Sequence, residues 1–499
     1  MPGRLLANQS CAPLAEVPEL HCEAFAGFIC GRVAAGARLS ALFGAPAPDD
    51  TVLLYVVLAH DGRGLLEVAC TRVGDAYPAL TPTCPQAHLF EREIWEQFGV
   101  EPMDHPWLKP VRYHNPAPLG KGGKPRPEPC CGEFFRMAGS EVHEVAVGPV
   151  HAGIIEPGHF RFQCLGETVH HLEIALGYQH RGAEALLPGG PDARTVHLME
   201  TLAGDTSIGH TWAYAGLVEA LAGAAVPARG RALRAVALEL ERLANHTGDL
   251  GALAGDVGFL PTASFCGRLR GDYLNMSALI CGNRFGRGLV RPGGCAFDVD
   301  GPLVEEIAKR LAGTFRDTCG AAELMFGAGS VQSRFEGTGT VDAPLALDLG
   351  LVGPAARACG LVRDARPDFG LPGYGALRPA VAYAETGDVW ARAQVRYKEI
   401  QASAEFVRAR LADLPGGPVR AAVGPLKPGQ LAVSITEGWR GEVCHVAITG
   451  KDGRFARYKV VDPSFHNWMG LAMALRGEAI SDFPLCNKSF NLSYCGHDL

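Results

Sequence analysis

The spacing of apolar residues changes along this chain, and each spacing predicts a different element. Residues 51–59 are a run of apolar, partly β-branched side chains, and residues 64–70 form a second run after a His-Asp-Gly-Arg turn. Two short runs of this kind around a turn predict a β-hairpin. We therefore expect the N-terminal part, to about residue 125, to be a small domain of strands and helices.

A helix is predicted over residues 90–100, where Phe90, Ile94 and Phe98 recur at a spacing of four. That spacing places the three apolar side chains on one side of an α-helix, with Trp95 beside them. We expect the glutamate and arginine residues of this segment to face solvent.

Longer helical patterns dominate the second half of the chain. Between residues 229 and 250, apolar side chains recur at steps of three and four, namely Leu233, Val236, Ala237, Leu240, Leu243 and Ala244. Further helices are predicted over 303–313 and 397–414, and Pro-Gly-Gly-Pro at 415–418 ends the last of them. This part of the chain is expected to be mostly helical.

A segment rich in glycine, proline and charge, residues 120–132, can continue neither a helix nor a strand. It predicts three parts: a domain over 1–119, a linker over 120–140, and a larger domain over 141–499. The predicted fold class is α+β, with a small α/β domain joined to a large, mostly helical one.

Composition and charge restrict the functions that this chain can have. With 499 residues, 47% of them hydrophobic, the chain can bury a large core. A net charge of −7 without a lysine- or arginine-rich run predicts no nucleic-acid partner. The apolar runs are shorter than the roughly twenty residues that cross a bilayer. The N-terminus also lacks the pattern of an export signal, so we expect a cytoplasmic location.

The sixteen cysteines show no metal-binding spacing, since Cys130 and Cys131 are adjacent, the others are scattered, and no C-x-x-C occurs. Zinc and iron–sulfur sites usually contain at least one such close pair. We expect reduced thiols that pack as small hydrophobes, and no cofactor bound by this chain.

Several motifs carry a family resemblance. The ERE-x-W-E-x-F-G helix at 91–99 and the D-H-P-x-L turn at 104–108 resemble the 30-kDa subunit of respiratory complex I. G-Y-Q-H-R-G at 177–182 and the helix at 229–250 resemble the complex I 49-kDa subunit and the large subunits of membrane-bound nickel–iron hydrogenases. Fusion of both types in one chain resembles group 4, formate hydrogenlyase-type hydrogenases. The resemblance implies that the larger domain opens with a β-hairpin near 147–162.

The same resemblance shows four replaced ligands. In the hydrogenases two C-x-x-C pairs hold nickel and iron, and the corresponding positions here are Ala203, Thr206, Ser493 and Gly496. A methyl group cannot bind a metal, and a hydroxyl is a poor substitute for a soft thiolate. Cys495 lies one position off and could lend only one thiolate. A nickel–iron centre is therefore not expected, and an active hydrogenase is the least favoured alternative.

The resemblance brings polar residues to this replaced site. They are Glu184 of the H-R-G-x-E motif, Asp205, His210, the segment Arg363, Asp364 and Arg366, and the turn Arg440, Gly441 and Glu442. Two interpretations stay open. One is a buried proton path, which would need a raised pKa at Glu184. The other is a set of ion pairs that fills the space of the metals, with Glu184 bound to Arg181 or another arginine.

Quinone reduction is a rival function, because complex I also lacks the nickel–iron centre. In complex I a histidine of the hairpin loop lies beside the quinone headgroup, which makes His151 and His159 candidates here. The headgroup tyrosine corresponds to Thr201, so Tyr178, Tyr214 or Tyr494 would have to replace it. Of these, Tyr494 is the candidate retained with His151 for a quinone site.

The resemblance implies a peripheral subunit on the inner face of the cell membrane, within a membrane-bound oxidoreductase complex. The implied partners are a small iron–sulfur subunit, a ferredoxin-like iron–sulfur subunit, and integral membrane subunits that anchor the complex and translocate ions. We expect this chain to couple electron transfer from the iron–sulfur partner to ion translocation. The alternatives are a quinone-reducing subunit of the NADH:quinone oxidoreductase type and a non-catalytic scaffold.

Overall fold

The computed structural model describes residues 2–47, 49–112, 133–151 and 155–499. Most of the predicted linker, together with Cys130 and Cys131, lies outside these described residues.

The N-terminal region is a mixed sheet with two helices. In chain order its elements are β1 (Arg4–Ala7), β2 (Ser10–Pro13), β3 (Glu19–Leu20), α1 (Cys22–Ala34), β4 (Arg38–Pro46), β5 (Val52–His60), β6 (Leu65–Val73), β7 (Ala76–Pro78), α2 (His88–Phe98) and β8 (Glu101–Met103). The sheet order is β1-β6-β5-β4, with β3 parallel to β6. β5 and β6 pair antiparallel from Val52 opposite Val73 to His60 opposite Leu65, which confirms the predicted hairpin.

The larger region begins with a three-stranded sheet and continues mainly with helices. Its elements are β9 (Val142–Val147), β10 (His159–Leu165), β11 (Thr168–Ala175), α3 (Thr195–Met199), α4 (Ser207–Ala222), α5 (Ala228–Asp256), α6 (Leu260–Cys281), β12 (Val290–Arg291), β13 (Gly294–Cys295), α7 (Gly301–Phe326), α8 (Gly329–Phe335), α9 (Ala343–Asp348), α10 (Gly353–Arg357), α11 (Ala365–Asp368), α12 (Val389–Ala412), β14 (Gln430–Gly438), β15 (Gly441–Thr449), β16 (Phe455–Val461), α13 (Pro463–Ala474), α14 (Phe483–Phe490) and α15 (Tyr494–Asp498). The predicted α+β class is confirmed.

The two regions share a sheet. β2 pairs antiparallel with β14, from Ser10 opposite Val433 to Pro13 opposite Gln430, and extends the order β16-β15-β14-β2. The N-terminal segment is thus part of the larger region's sheet, which a division of the chain at residue 119 does not anticipate.

The core of the larger region is built around α5, which packs against α6 and α12. The predicted helix at 229–250 lies wholly within α5, and its apolar face is buried. α12 begins at Val389, earlier than predicted, because the Asp388 carboxylate caps it by accepting the Ala391 N–H. No helix of the described residues combines the length and the apolar composition that spanning a membrane requires.

The expectation that the charged residues of α2 face solvent is wrong. Glu91, Glu93 and Glu96 are each at most 2% exposed. Glu93 binds Lys459 at 2.6 Å and Arg112 at 2.6 Å, while Glu96 accepts the backbone N–H of Val111. The larger region covers this face of α2, and the periodicity of the helix alone cannot indicate such a partner.

Candidate functional site

The four positions that the resemblance equates with hydrogenase metal ligands lie on two buried walls. Ala203 and Thr206 stand in the loop before α4, and Ser493 caps α15 by accepting the Gly496 N–H at 2.9 Å. All four are buried. We call the region formed by residues 203–210 and 491–497 the ligand-position pocket.

An aspartate occupies the space beside Gly496. A Cβ atom at Gly496 would lie 2.6 Å from Asp462 Cγ and 2.7 Å from Asp462 Oδ2. These distances are well inside van der Waals contact, so a cysteine side chain at 496 would need Asp462 to move. Asp462 is held in place because its Oδ1 caps α13 by accepting the Ser464 N–H at 2.8 Å.

A chain of four hydrogen-bonded side chains begins at this aspartate. Asp462 Oδ2 lies 2.9 Å from His210 Nε2, and His210 Nδ1 lies 3.1 Å from His445 Nε2. His445 Nδ1 lies 2.8 Å from the Tyr458 hydroxyl. All four residues are fully buried. With both imidazoles neutral, Tyr458 donates to His445, His445 to His210, and His210 to Asp462.

The pKa values agree with this direction of donation. Burial, together with the nearby His210, holds the pKa of His445 well below its ordinary value. Burial opposes ionisation of Asp462, but the His210 hydrogen bond and the Arg440 charge outweigh it, so its pKa is lowered. The chain therefore ends on a carboxylate and contains a neutral imidazole at His445.

An ion pair joins the two walls of the pocket. Arg440 donates to both oxygens of Asp205, at 2.6 and 2.9 Å. Its Nε donates to the carbonyl of Asn491 at 2.5 Å, and its guanidinium lies over the Trp439 ring. The Asp205 and Arg440 pair thus connects the loop before α4 to the C-terminal tail.

A second acid lies at the start of α4. Glu241 of α5 accepts the backbone N–H of Ile208 at 2.7 Å and of Gly209 at 3.2 Å. Burial raises the pKa of Glu241 to about 8, and the nearby Asp205 adds to the effect. This carboxyl group is therefore able to gain and lose a proton near neutral pH.

Glu184 forms ion pairs, as the second of the two interpretations predicts. It binds Arg457 and Lys459, each at 2.9 Å, and not Arg181, which donates to the carbonyls of Thr201 and Leu202. Burial favours a higher pKa, but the two cations outweigh it and lower the pKa of Glu184. The raised pKa that a proton relay at Glu184 would need is absent.

Arg366 belongs to a neighbouring group of buried charges, which we call the central cluster. Its members are Glu239, Arg242, Arg357, Asp364, Arg366, Glu399 and Glu437. Arg366 binds Asp364 at 2.5 Å and Glu239 at 3.1 Å. Glu442 of the R-G-E turn binds Arg38 of β4 at 2.6 Å, so its carboxylate contacts the N-terminal region.

The predicted hairpin is present, and its loop contacts the C-terminal tail. His151 Nε2 lies 2.9 Å from the Gly158 carbonyl, and a Cβ atom at Gly158 would lie 2.6 Å from the Tyr494 ring. His151 and Tyr494 therefore meet at Gly158. His159 begins β10 and packs against Phe134, with 5.3 Å between ring centroids.

The residues at the four positions do not fit a nickel–iron centre. They offer a methyl group, two hydroxyls and a hydrogen where the metals need thiolates. Cys495 lies with its Sγ 3.4 Å from Ser493 Oγ, and burial raises the pKa of its thiol to about 11. Over the ranges that the structure describes, no three His, Cys, Asp or Glu side chains are grouped to hold a metal ion.

Sequence reasoning missed Asp462, His445, Tyr458 and Glu241. The D-P-S sequence at 462–464 is a helix-start signal that accounts for Asp462 without any role in the pocket. His445 and Tyr458 lie in strands that are buried on both faces, where alternation gives no signal. Only their contacts across β15 and β16 identify them.

Comparison with known proteins gives matches in both regions. The family described as respiratory-chain NADH dehydrogenase, 30 Kd subunit, matches residues 24–121, and the 49 Kd subunit family matches residues 256–428. Formate hydrogenlyase subunit 5 of Escherichia coli is 31% identical over 84% of this chain and 76% of its own length.

Two further relatives represent the membrane-bound hydrogenases and the quinone oxidoreductases. The membrane-bound hydrogenase subunit alpha of Pyrococcus furiosus is 28% identical over 70% of this chain and 85% of its own length. NADH-quinone oxidoreductase subunit 4 of Thermus thermophilus is 29% identical over 69% of this chain and 90% of its own length.

Proposed function

This chain belongs to the group 4 hydrogenase and complex I family, and we propose that it is the large peripheral subunit of a membrane-bound oxidoreductase complex. In this proposal the chain works without a nickel–iron centre and binds no metal ion. It couples electron transfer in an iron–sulfur partner subunit to ion translocation by membrane subunits. The observation that carries this proposal is the Asp462 carboxylate against Gly496, at the end of a buried hydrogen-bonded chain.

The coupling step that we propose is a shift of protons along that chain. The Tyr458 proton moves to His445 Nδ1, the His445 Nε2 proton to His210 Nδ1, and the His210 Nε2 proton to Asp462. The proton that Tyr458 gives up is replaced in the same step by a proton from solvent water, because burial holds the pKa of Tyr458 well above its ordinary value. The net result is one proton gained by Asp462 from solvent, and no tyrosinate is formed. Negative charge arriving on the partner cluster favours protonation of Asp462, because a carboxylate in a low-dielectric site responds strongly to nearby charge.

The Asp205 and Arg440 pair gives this shift a structural consequence. Arg440 is held by Asp205, and its positive charge also lowers the pKa of Asp462. When Asp462 is neutral, Arg440 loses part of its electrostatic attraction to Asp462, which lies against Gly496 of the C-terminal tail. The tail and the loop before α4 can then move relative to each other, and the partner subunits detect this movement.

The test uses the intact complex purified from its native membrane and reconstituted in vesicles. We expect electron transfer to drive ion uptake, no hydrogen evolution, and nickel far below one atom per chain. Asp462→Asn should abolish ion uptake while assembly persists. Asp413→Asn, at a side chain that is 89% exposed, is the control and should leave uptake unchanged.

Stoichiometric nickel, with hydrogen evolution lost on Cys495→Ser, would overturn the proposal in favour of an active hydrogenase. An intact complex that transfers electrons to no acceptor and moves no ion would instead support a scaffold.

Quinone reduction is the second candidate, and the contact of His151 and Tyr494 with Gly158 favours it. If quinone binds there, Tyr494→Phe and His151→Gln should lower quinone-dependent turnover. His159→Gln distinguishes the two histidines, because His159 lies on the Phe134 side of the hairpin. Unchanged turnover in all three variants would exclude this candidate.

A further inference from the structure

A surface cleft of about 350 Å³ lies where the first turn of α5, the segment 370–375 and the last turn of α12 meet. Three of its lining residues are Arg231, Arg378 and Arg410. None of the residues of the ligand-position pocket lines it. The cleft is therefore separate from the residues of the proposed function.

The buried member of the three is Arg410, which is 8% exposed. Its Nη2 donates to the Tyr374 carbonyl at 2.8 Å, but its Nε is buried and has no hydrogen-bond partner among the described residues. Its nearest carboxylate, Asp413, lies 3.8 Å away and is 89% exposed, so the pair is weak. A buried donor without an acceptor destabilises the protein, and a bound anion would supply the missing acceptor.

The two arginines at the rim leave further positive charge uncompensated. Arg231 and Arg378 are exposed, and no ion pair or side-chain hydrogen bond joins either of them to the described part of the chain. The cleft therefore presents three guanidinium groups, and none of the described residues that line it carries a carboxylate.

The backbone around the cleft leaves the guanidinium groups uncovered. Gly373 has a φ of +99°, and a Cβ atom there would lie 2.2 Å from the Arg231 carbonyl, so the segment packs closely on α5. Gly375 also has a positive φ, and its Cβ position is 3.7 Å from Arg410 Nη2. The N-terminus of α5, at Ala228 in the same cleft, adds the partial positive charge of a long helix.

We propose that this cleft binds a phosphate-bearing anion, with Arg410 at its base and Arg231 and Arg378 at its rim. Guanidinium groups match the oxygens of phosphate by paired hydrogen bonds, and a helix N-terminus favours the same charge. The phosphate belongs either to a small soluble molecule or to the headgroup of an anionic lipid.

The test is a calorimetric titration of the full chain with inorganic phosphate at low ionic strength. Arg231→Gln and Arg378→Gln should each weaken binding by about tenfold, which corresponds to about 1.4 kcal/mol. Both side chains are exposed, so the fold should persist in these variants. Arg410→Gln should weaken binding further, and its unfolding midpoint shows whether the Tyr374 contact also matters to the fold.

Arg408→Gln is the matched control, since Arg408 is an exposed arginine of α12 that does not line the cleft. Equal weakening in this control would mean unspecific attraction of anions and would overturn the proposal. Absence of phosphate binding to the wild-type chain, together with absence of vesicle binding, would also overturn it.

Vesicles of phosphatidylcholine, with and without phosphatidylglycerol, distinguish the two sources of phosphate. Binding to the anionic vesicles that is lost in Arg231→Gln and Arg378→Gln supports a lipid headgroup. Phosphate binding without vesicle binding supports a soluble ligand.

Discussion

The ligand-position pocket and the central cluster are both buried and polar, yet they differ in the number of arginines that lie beside their carboxyl groups. In the central cluster three arginines, Arg242, Arg357 and Arg366, surround the carboxylates. In the pocket a single arginine, Arg440, binds Asp205, and within the described part of the chain Glu241 accepts hydrogen bonds only from backbone N–H groups. The two regions meet at consecutive residues of α5, because Glu241 contacts the pocket and Arg242 contacts the central cluster.

The pKa values follow this difference in charge. Burial would raise the pKa of Glu399, but Arg357, His246 and Arg242 hold it well below its ordinary value. The pKa of Glu241 rises to about 8 instead. Glu437 lies between the two cases, since burial and Asp364 raise its pKa to about 7 although Arg357 binds it. In these two regions Glu399, with several cations beside it, stays ionised, whereas Glu241 and Glu437 have pKa values near neutral pH.

Removal of a cluster arginine should have the largest effect on stability. Arg357 binds Glu399 at 2.6 Å and Glu437 at 2.8 Å, and it is fully buried. Arg357→Gln leaves Glu437 without its bound cation and removes one of the two arginines that bind Glu399. It should lower the free energy of unfolding by about 3–5 kcal/mol. Denaturant unfolding of the full chain measures this, with Arg408→Gln as the control. A loss no larger than that of the control would contradict the view that the cluster is structural.

Neutralising Glu241 should change how stability depends on pH. The folded state keeps a proton on Glu241 up to about pH 8, whereas the unfolded state releases it near its ordinary pKa of 4.5. Wild-type stability should therefore fall as pH rises from 5 to 8, by up to about 1.4 kcal/mol per pH unit. Glu241→Gln should remove the contribution of Glu241 to this fall, so that the variant loses less stability than the wild type between pH 5 and pH 8, while the contribution of Glu437 remains.

Unfolding midpoints of both proteins at pH 5, 6, 7 and 8 measure this effect. Glu405→Gln, at an exposed glutamate of α12, is the control and should keep the wild-type slope. Parallel curves for wild type and Glu241→Gln would show that the pocket holds acids as the cluster does.

A methyl group at position 496 should test whether Asp462 fills the pocket. Gly496→Ala places a Cβ atom 2.6 Å from Asp462 Cγ and should cost about 1–3 kcal/mol through overpacking. Gly267→Ala in α6 is the control, because a Cβ atom there meets nothing within 4 Å, and alanine favours a helix. Equal stability of the two variants would mean that the space beside Gly496 is open.

The smallest effect is expected at the far end of the hydrogen-bonded chain. Tyr458→Phe removes the hydroxyl that donates to His445 Nδ1 and should cost about 1 kcal/mol, since one buried acceptor loses its donor. The same variant should slow proton-coupled activity of the intact complex. Tyr383→Phe, at an exposed tyrosine, is the control for loss of a tyrosine hydroxyl. Normal ion uptake in Tyr458→Phe would remove Tyr458 from the proton path.

The elements of this protein follow from local patterns in its sequence. The apolar period of α5, the two runs of β5 and β6, and the stop at Pro415 are local features, and the structure contains each of them. The residues at the four positions that resemble metal-ligand positions can also be read from the sequence, because the identity of each side chain decides whether it can form a thiolate.

The contents of the pocket could not be predicted in this way. Asp462, His445 and Glu241 come from a helix cap, a buried strand and the middle of α5, and each is separated from His210 by many residues. The helical period of α2 correctly predicted its apolar face but placed its glutamates in solvent, since their cations lie on β16 and after α2. The sequence alone determined which chemical groups are present and which are missing. Only the tertiary structure decided which acids have cations beside them, because the pKa of a buried group depends on neighbours that are distant along the chain.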